Sequence, residues 1–204
     1  MRIARAWLID PEHNRLYGVA AMTLSVFVFA YSTIFGPVSI LAYYALWLPL
    51  IFVDYRKVLG SVVLAPWIVA FVAVALLSTF WSDAFSTTAR ASIQFATHAL
   101  CALIAVNTLS VRTLTRGVVI GVVLVLVYSF LFGHYSYDAL DGTYSFVGSF
   151  SSKNQLGLYA SLGVYFGLAA VFILGERGLW RIGCLACVLL SAYGMVASQS
   201  ATSI

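Results

Sequence analysis

Long apolar runs separated by short polar segments dominate the chain, and each run is close to the length of a membrane-crossing helix. A helix needs about 20 apolar residues, with a range of about 17–25, to cross a bilayer. Seven runs meet or approach that length: 16–35, 37–53, 59–80, 92–110, 114–132, 154–174 and 180–198. The second run is the shortest, and we expect its Pro49 to kink the helix without abolishing it. The pattern predicts an all-α polytopic membrane bundle of about seven transmembrane helices.

The composition supports the same class of protein. The 204 residues are 62% hydrophobic and only 9% charged, whereas soluble domains carry about 25% charged residues. The net charge of +4 is therefore no sign of nucleic-acid binding, because basic residues in a membrane protein mainly set its orientation. The three cysteines lie in apolar runs. Cys184 and Cys187 form a Cys-x-x-Cys pair, but no second pair and no histidine lies nearby in the sequence, so we interpret all three as packing residues and expect no metal site.

Lysine and arginine are unevenly divided between the two sides that seven spans create. Nine of the eleven lie on one side, in 1–15, 54–58, 111–116 and 175–181. The other two are Arg90 and Lys153. Because basic loops stay in the cytoplasm, this predicts a cytoplasmic N-terminal segment, 1–15, and one transmembrane domain, 16–204. The longest connection, 133–153, then faces outward, and any chemistry is expected on that face.

A polar stretch at 148–157 ends the outward connection. Ser152 followed three residues later by Gln155 fits a capping box at a helix start. The free N–H groups and positive dipole end of that helix, with Lys153 beside them, are the components of an anion site. The alternative is that the stretch is only a well-capped helix entering the membrane.

A second polar cluster lies in the fourth predicted span. Arg90, Gln94 and His98 are spaced by four and share one helix face. Arginine suits bidentate recognition of phosphate, so the two outward cations, Arg90 and Lys153, are candidates to hold a pyrophosphate. The alternative is an interfacial arginine followed by side chains that hydrogen-bond between helices.

Other candidates for chemistry are weaker. Asp138 and Asp141 are outward carboxylates beside an Asp-Gly turn signal, and His134 precedes them as a candidate base. No catalytic residue is assigned from these patterns. Two glycine pairs, in the fifth and sixth spans, have the spacing that lets helix backbones approach closely.

Three segments together resemble the O-antigen ligase and polymerase superfamily. The first motif reads LSTFWSD at 77–83 and STTAR at 86–90; the second motif, 148–157, reads GSFSSKNQLG; and the third motif, 198–203, reads SQSATS. They are similar to that family's LSxxWS segment with its following arginine, to the GxFxxKNxLG signature of its exopolysaccharide-polymerase branch, and to an SxSxT element. The resemblance covers about 77–204.

The resemblance implies a multi-pass glycosyltransferase of the bacterial inner membrane. Such enzymes polymerise or transfer undecaprenyl-pyrophosphate-linked glycans on the periplasmic face, in exopolysaccharide or lipopolysaccharide biosynthesis, without a cofactor, and other polysaccharide-export proteins are implied as partners. By resemblance, Arg90 and Lys153 would steady the pyrophosphate. Asn154 and Gln155 would orient it or the sugar. Trp81 would sit at the interface or stack on a sugar ring.

Two departures from the family pattern matter. Ala201 stands where the ligases commonly have an arginine, and the family usually continues with further spans and a large outward loop. We therefore expect the chain to be an N-terminal portion that is inactive alone. Two other interpretations stay open. One is a transporter or flippase-like protein, for which polar residues near the midplane and internal repeats are typical; the other is a non-catalytic membrane scaffold fragment.

Overall fold

Helices make up most of the structure. The computed structural model describes residues 7–60, 66–138 and 142–200. Its helices and strands are α1 (Arg15–Phe35), α2 (Pro37–Trp47), α3 (Tyr55–Leu59), α4 (Pro66–Leu77), α5 (Phe85–Thr108), α6 (Val111–Phe132), β1 (His134–Asp138), β2 (Thr143–Gly148), α7 (Lys153–Leu168) and α8 (Gly178–Ser198). Short 3₁₀ helices lie at Trp7–Ile9, Leu48–Phe52 and Ser78–Trp81, and a π-helical turn at Ala169–Ile173. The predicted all-α polytopic class is confirmed.

Among the described residues, five helices are long and apolar enough to cross a membrane, so the chain is a multi-pass membrane protein. They are Arg15–Phe35, Phe85–Thr108, Val111–Phe132, Lys153–Ile173 and Gly178–Ser198. Two shorter apolar helices, Pro37–Phe52 and Pro66–Trp81, correspond to the second and third predicted spans. Residues 61–65 of the third span lie outside the described residues. In the second span the α-helix ends two residues before Pro49 and continues as a 3₁₀ helix, because proline has no N–H to donate.

The chain divides into two compact units. The first comprises Met1–Tyr17 and Tyr44–Ser110, and the second comprises Gly18–Tyr43 and Val111–Ile204. Within the first unit, hydrogen bonds from buried or half-buried polar side chains connect the helices. The Ser92 hydroxyl of α5 donates to the Ala75 carbonyl of α4 at 2.6 Å, and Asn107 Nδ2 donates to the carbonyl of Val58 at 2.8 Å.

Helix α6 is central to the second unit, where its inward face is fully buried. The predicted close approach of glycine pairs to neighbouring helices is confirmed. A Cβ added at Gly121 would lie 2.7 Å from Val26 Cβ on α1, and one at Gly167 would lie 2.6 Å from Val188 Cγ2 on α8. A side chain at either position would therefore force the helices apart.

The connection 133–153 is not only a loop, because β1 and β2 form an antiparallel hairpin within it. Tyr135 pairs with Phe146, and Tyr137 with Tyr144, so these four side chains share one face. Its three tyrosines are exposed. Aromatic residues flank a serine in both strands, and this period of two is the signal that the sequence analysis missed. Residues 139–141, which include Asp141, lie outside the described residues.

A buried carboxylate joins helices at the opposite end of the second unit. The side chain of Glu176 accepts hydrogen bonds from Arg116 Nε at 2.9 Å and Nη2 at 2.7 Å. Arg112 Nε lies 3.4 Å from the same carboxylate. The hydrogen bonds from Arg116 hold the pKa of the Glu176 carboxyl below its usual value. Segments 111–116 and 175–181, which the charge pattern placed on one side, are therefore in contact.

Candidate functional site

The polar stretch 148–157 begins with a backbone held tightly against α6. Gly148 has φ +66°, and a Cβ on it would lie 2.7 Å from Ser129 Oγ. The next residue, Ser149, donates its N–H to the same hydroxyl at 3.4 Å. Ser129 Oγ is also 2.8 Å from the hydroxyl of Tyr31 on α1. The start of the stretch is therefore fixed to two helices, and only glycine fits at its first position.

Phe150 anchors the middle of the stretch in the apolar core. Its ring stacks on Tyr31 with centroids 5.2 Å apart and on Tyr159 of α7 with centroids 5.3 Å apart. The side chain is buried. Because an aromatic ring held between two others has little freedom, Phe150 sets the position of the polar residues that flank it.

The predicted capping interaction is present, with one difference. Ser152 is the N-cap of α7, and its hydroxyl accepts from the N–H of Gln155 at 3.4 Å. The side-chain oxygen of Gln155 returns to Ser151, accepting from its hydroxyl at 2.9 Å and its N–H at 3.3 Å. A standard capping box would return to the N-cap residue itself. The carbonyl oxygen of Gln155 is thus engaged in shaping the turn.

Lys153 and Asn154 open helix α7, and they differ in environment. Lys153 is only 7% exposed, although a cation at a membrane surface is normally solvated. Asn154 is exposed, and its Oδ1 accepts from the hydroxyl of Ser200 at 2.9 Å. Ser200 follows Gln199, whose left-handed backbone ends α8. The second and third motifs therefore meet in space; residues 201–203 of the third lie outside the described residues.

Two buried hydroxyls lie in and beside this stretch. Ser149 Oγ and Ser145 Oγ have no hydrogen-bond partner within the described ranges 7–60, 66–138 and 142–200. Buried polar atoms are normally paired, and a hydroxyl can donate to an anionic oxygen as well as accept. Ser149, Lys153 and the first N–H groups of α7 lie within a few residues of one another in the chain, and each is a donor of the kind that binds an anion.

The first motif lies in the first unit and shapes the start of α5. Ser82 Oγ is 2.6 Å from Thr88 Oγ1 and accepts from the N–H of Ala84 at 3.2 Å. Trp81 is 68% exposed. Arg90 is exposed, and no hydrogen bond or ion pair involves it among the residues that the structure describes. Because Arg90 and Lys153 belong to different units, their predicted cooperation on one pyrophosphate stays a prediction.

The weaker candidates are distributed as follows. His134 pairs with Gly148 in the hairpin register, which places it opposite the start of the second motif. The backbone of Asp138 lies at the far end of β1. On α5, His98 is half-buried with its ring 5.6 Å from that of Tyr44. Within the described parts of the chain, no three His, Cys, Asp or Glu residues converge as a metal site would require.

Comparisons with known proteins identify one relative. No family model matches the chain, and no solved structure matches it. The exopolysaccharide production protein ExoQ of Rhizobium meliloti (strain 1021) is 59% identical over 204 residues, which are 100% of this chain and 47% of that protein. The chain thus spans about half the length of the curated relative it matches. The predicted resemblance to the exopolysaccharide branch is confirmed: along its whole length this chain is similar to a part of the exopolysaccharide production protein ExoQ.

Proposed function

We propose that this chain acts in exopolysaccharide biosynthesis in a bacterial inner membrane, as part of a glycosyltransferase that polymerises or transfers undecaprenyl-pyrophosphate-linked glycans. The chain would hold the pyrophosphate of that donor at the periplasmic face. The observation that carries the proposal is the contact between Asn154 and Ser200 beside the buried Lys153. Two motifs of one family, distant in sequence, thereby build one polar surface.

The donor groups near this surface suit a pyrophosphate, because they combine one cation with several uncharged hydrogen-bond donors. Lys153 supplies a cation, and its burial strengthens electrostatic attraction because the surroundings screen charge less than water does. Ser149 supplies a buried hydroxyl, and the first turn of α7 supplies N–H groups at the positive end of the helix dipole. Asn154 borders the same surface through its side-chain amide.

An apolar groove beside the site supports binding of the polyprenyl chain. It lies between α1 and α6, has a volume of about 380 Å³, and includes Phe27, Tyr128 and Phe132 in its lining. The ring of Tyr128 is 4.7 Å from that of Tyr31, which in turn stacks on Phe150. The groove therefore ends next to the second motif, where the phosphates of a lipid carrier would leave the membrane.

The hairpin offers a surface for the sugar portion of the donor. Tyr135, Tyr137 and Tyr144 are exposed on one face, and the rings of Tyr135 and Tyr144 stack at 5.7 Å. Aromatic rings with a hydroxyl at the edge suit ligands that combine apolar and polar faces, as sugars do. Trp81 of the first unit stays a second candidate for stacking, by resemblance alone.

Binding of lipid pyrophosphates to the purified chain tests the proposal. Lys153→Met preserves the length of the buried side chain but removes its charge. We expect it to weaken undecaprenyl-pyrophosphate binding by about 10- to 100-fold, because a hydrogen bond to a charged group contributes about 1.5–3 kcal/mol. Binding of undecaprenol, which lacks phosphate, should stay unchanged. Arg90→Gln is measured separately. If Arg90 also contacts the pyrophosphate, this variant should weaken undecaprenyl-pyrophosphate binding by a similar factor.

The matched control is Arg181→Gln, which removes an exposed arginine from the opposite end of the second unit. It should leave the affinity for undecaprenyl pyrophosphate unchanged. An unaltered affinity in Lys153→Met would contradict the proposed donor site. Exopolysaccharide production in a deficient strain, complemented with wild-type and Lys153→Met proteins, relates the binding site to the biosynthetic role.

A further inference from the structure

A second apolar groove lies on the membrane-facing side of α6 and α8, towards the arginine-rich end of the second unit. It has a volume of about 330 Å³ and includes Val119 and Val123 of α6, and Trp180, Gly183 and Leu190 of α8, in its lining. Gly183 is exposed, and a Cβ built on it would meet nothing within 4 Å. The groove is therefore open at Gly183, and a larger side chain at that position would fill it.

Two arginines stand at one end of this groove. Arg112 and Arg116 precede Val119 and Val123 on α6 at helical spacing, so they share the face that forms the groove wall. The guanidinium of Arg116 lies 4.5 Å from the centre of the Trp180 ring, and Trp180 itself lines the groove. Along the helix, Val123 lies roughly 10 Å beyond Arg116. An apolar slot about 10 Å long thus leads away from a cationic end.

The charge at this end is not fully neutralised. Glu176 is bidentate to Arg116, whereas Arg112 approaches it only through Nε at 3.4 Å and has a side chain 55% exposed. Arg112 Nη2 donates to the carbonyl of Leu174, which carries no formal charge. Two guanidinium groups therefore face one carboxylate, and the partly exposed Arg112 can bind a further anion. Arg177, next to Glu176 in sequence, is also exposed.

We propose that this groove binds a glycerophospholipid with an anionic headgroup. Its phosphate would contact Arg112, and one acyl chain would lie along the groove past Gly183. Basic pockets between transmembrane helices are recurrent sites for anionic lipid headgroups, and tryptophan is enriched at that depth of the bilayer. The site is distinct from the donor site, because it lies at the beginning of α6 whereas Ser129 and the second motif lie at its end.

Native mass spectrometry of the purified chain in neutral detergent tests this proposal with phosphatidylglycerol and phosphatidylcholine of matched acyl chains. The wild-type chain should retain phosphatidylglycerol about fivefold better, the selectivity expected of one arginine near a membrane surface. Arg112→Gln leaves the pair between Arg116 and Glu176 in place and should bring the two lipids to near-equal retention. Gly183→Leu fills the groove and should reduce retention of both lipids.

Two control variants match these changes away from the groove. Arg181→Gln removes an arginine two residues before Gly183, a spacing that places it on another face of α8. Ala192→Leu introduces a leucine side chain at an exposed position outside the groove lining. Both should retain lipids as the wild-type chain does. Three results would overturn the proposal: equal retention of the two lipids by the wild-type chain, a preference for phosphatidylglycerol that persists in Arg112→Gln, or unchanged retention of both lipids in Gly183→Leu.

Discussion

Replacing Gly148 with valine is expected to lower the thermal unfolding midpoint by about 6–12 °C and to abolish undecaprenyl-pyrophosphate binding. A β-branched residue at φ +66° adopts a backbone conformation that costs about 1–3 kcal/mol. Its Cβ would also lie 2.7 Å from Ser129 Oγ and 2.9 Å from Ser129 Cβ. A total of about 3 kcal/mol corresponds to that range in midpoint for a chain of this size. Thermal unfolding in detergent measures it.

Gly36→Val separates backbone strain from the steric clash. Gly36 has a similar φ of +68°, but a Cβ there would meet nothing within 4 Å. This variant should therefore lose less stability than Gly148→Val and should keep its affinity for undecaprenyl pyrophosphate. If Gly148→Val unfolds at the wild-type temperature and binds undecaprenyl pyrophosphate normally, the assigned close contact between the second motif and α6 is contradicted.

Replacing Glu176 with glutamine is expected to destabilise the chain by about 2–3 kcal/mol at neutral pH, because the substitution removes the charge that pairs with Arg116 in a buried position. The pKa of Glu176 is lowered in the folded chain, first by the hydrogen bonds from Arg116. Its stabilisation is therefore complete above the ordinary pKa of a glutamate, about 4.3, and is lost as the pH falls through the lower folded value.

The pH dependence of the unfolding midpoint distinguishes this effect from simple loss of packing. The wild-type midpoint should fall as the pH drops below about 4.3, and the gap to Glu176→Gln should close. Asp83→Asn, which changes an exposed carboxylate of the first unit, should leave the wild-type curve unchanged. A constant gap between wild type and Glu176→Gln over the acidic range would contradict the assigned ion pair.

Helix positions and local caps could be predicted from the sequence because both depend on residues a few positions apart. The apolar run 114–132 is enough to specify α6, and Ser152 with Gln155 specifies where α7 begins. The glycine spacings also identified faces that pack closely. In each case the information lies within one or two helical turns, so no knowledge of the neighbouring helix was needed.

Contacts between distant residues could not be predicted in this way. Glu176 and Arg116 are 60 positions apart, and only the packing of α6 beside the connection from α7 to α8 brings them together. The contact between Asn154 and Ser200 likewise depends on how α7 and α8 align. Lys153 was expected to be an outward cation, and its burial depends on neighbours that no local pattern identifies. The hairpin was missed because the alternation of aromatic residues with serine is short in each strand.

The orientation of the second motif is measured most directly by cysteine labelling in intact cells. The native cysteines, Cys101, Cys184 and Cys187, are buried, which keeps background labelling low. Ser151 and Arg177 are exposed at opposite ends of the second unit, and each is replaced singly by cysteine. With a membrane-impermeant maleimide that reaches the periplasm, Ser151→Cys should label before the inner membrane is permeabilised and Arg177→Cys only afterwards. The reverse pattern would place Lys153 on the cytoplasmic side and contradict a periplasmic donor site.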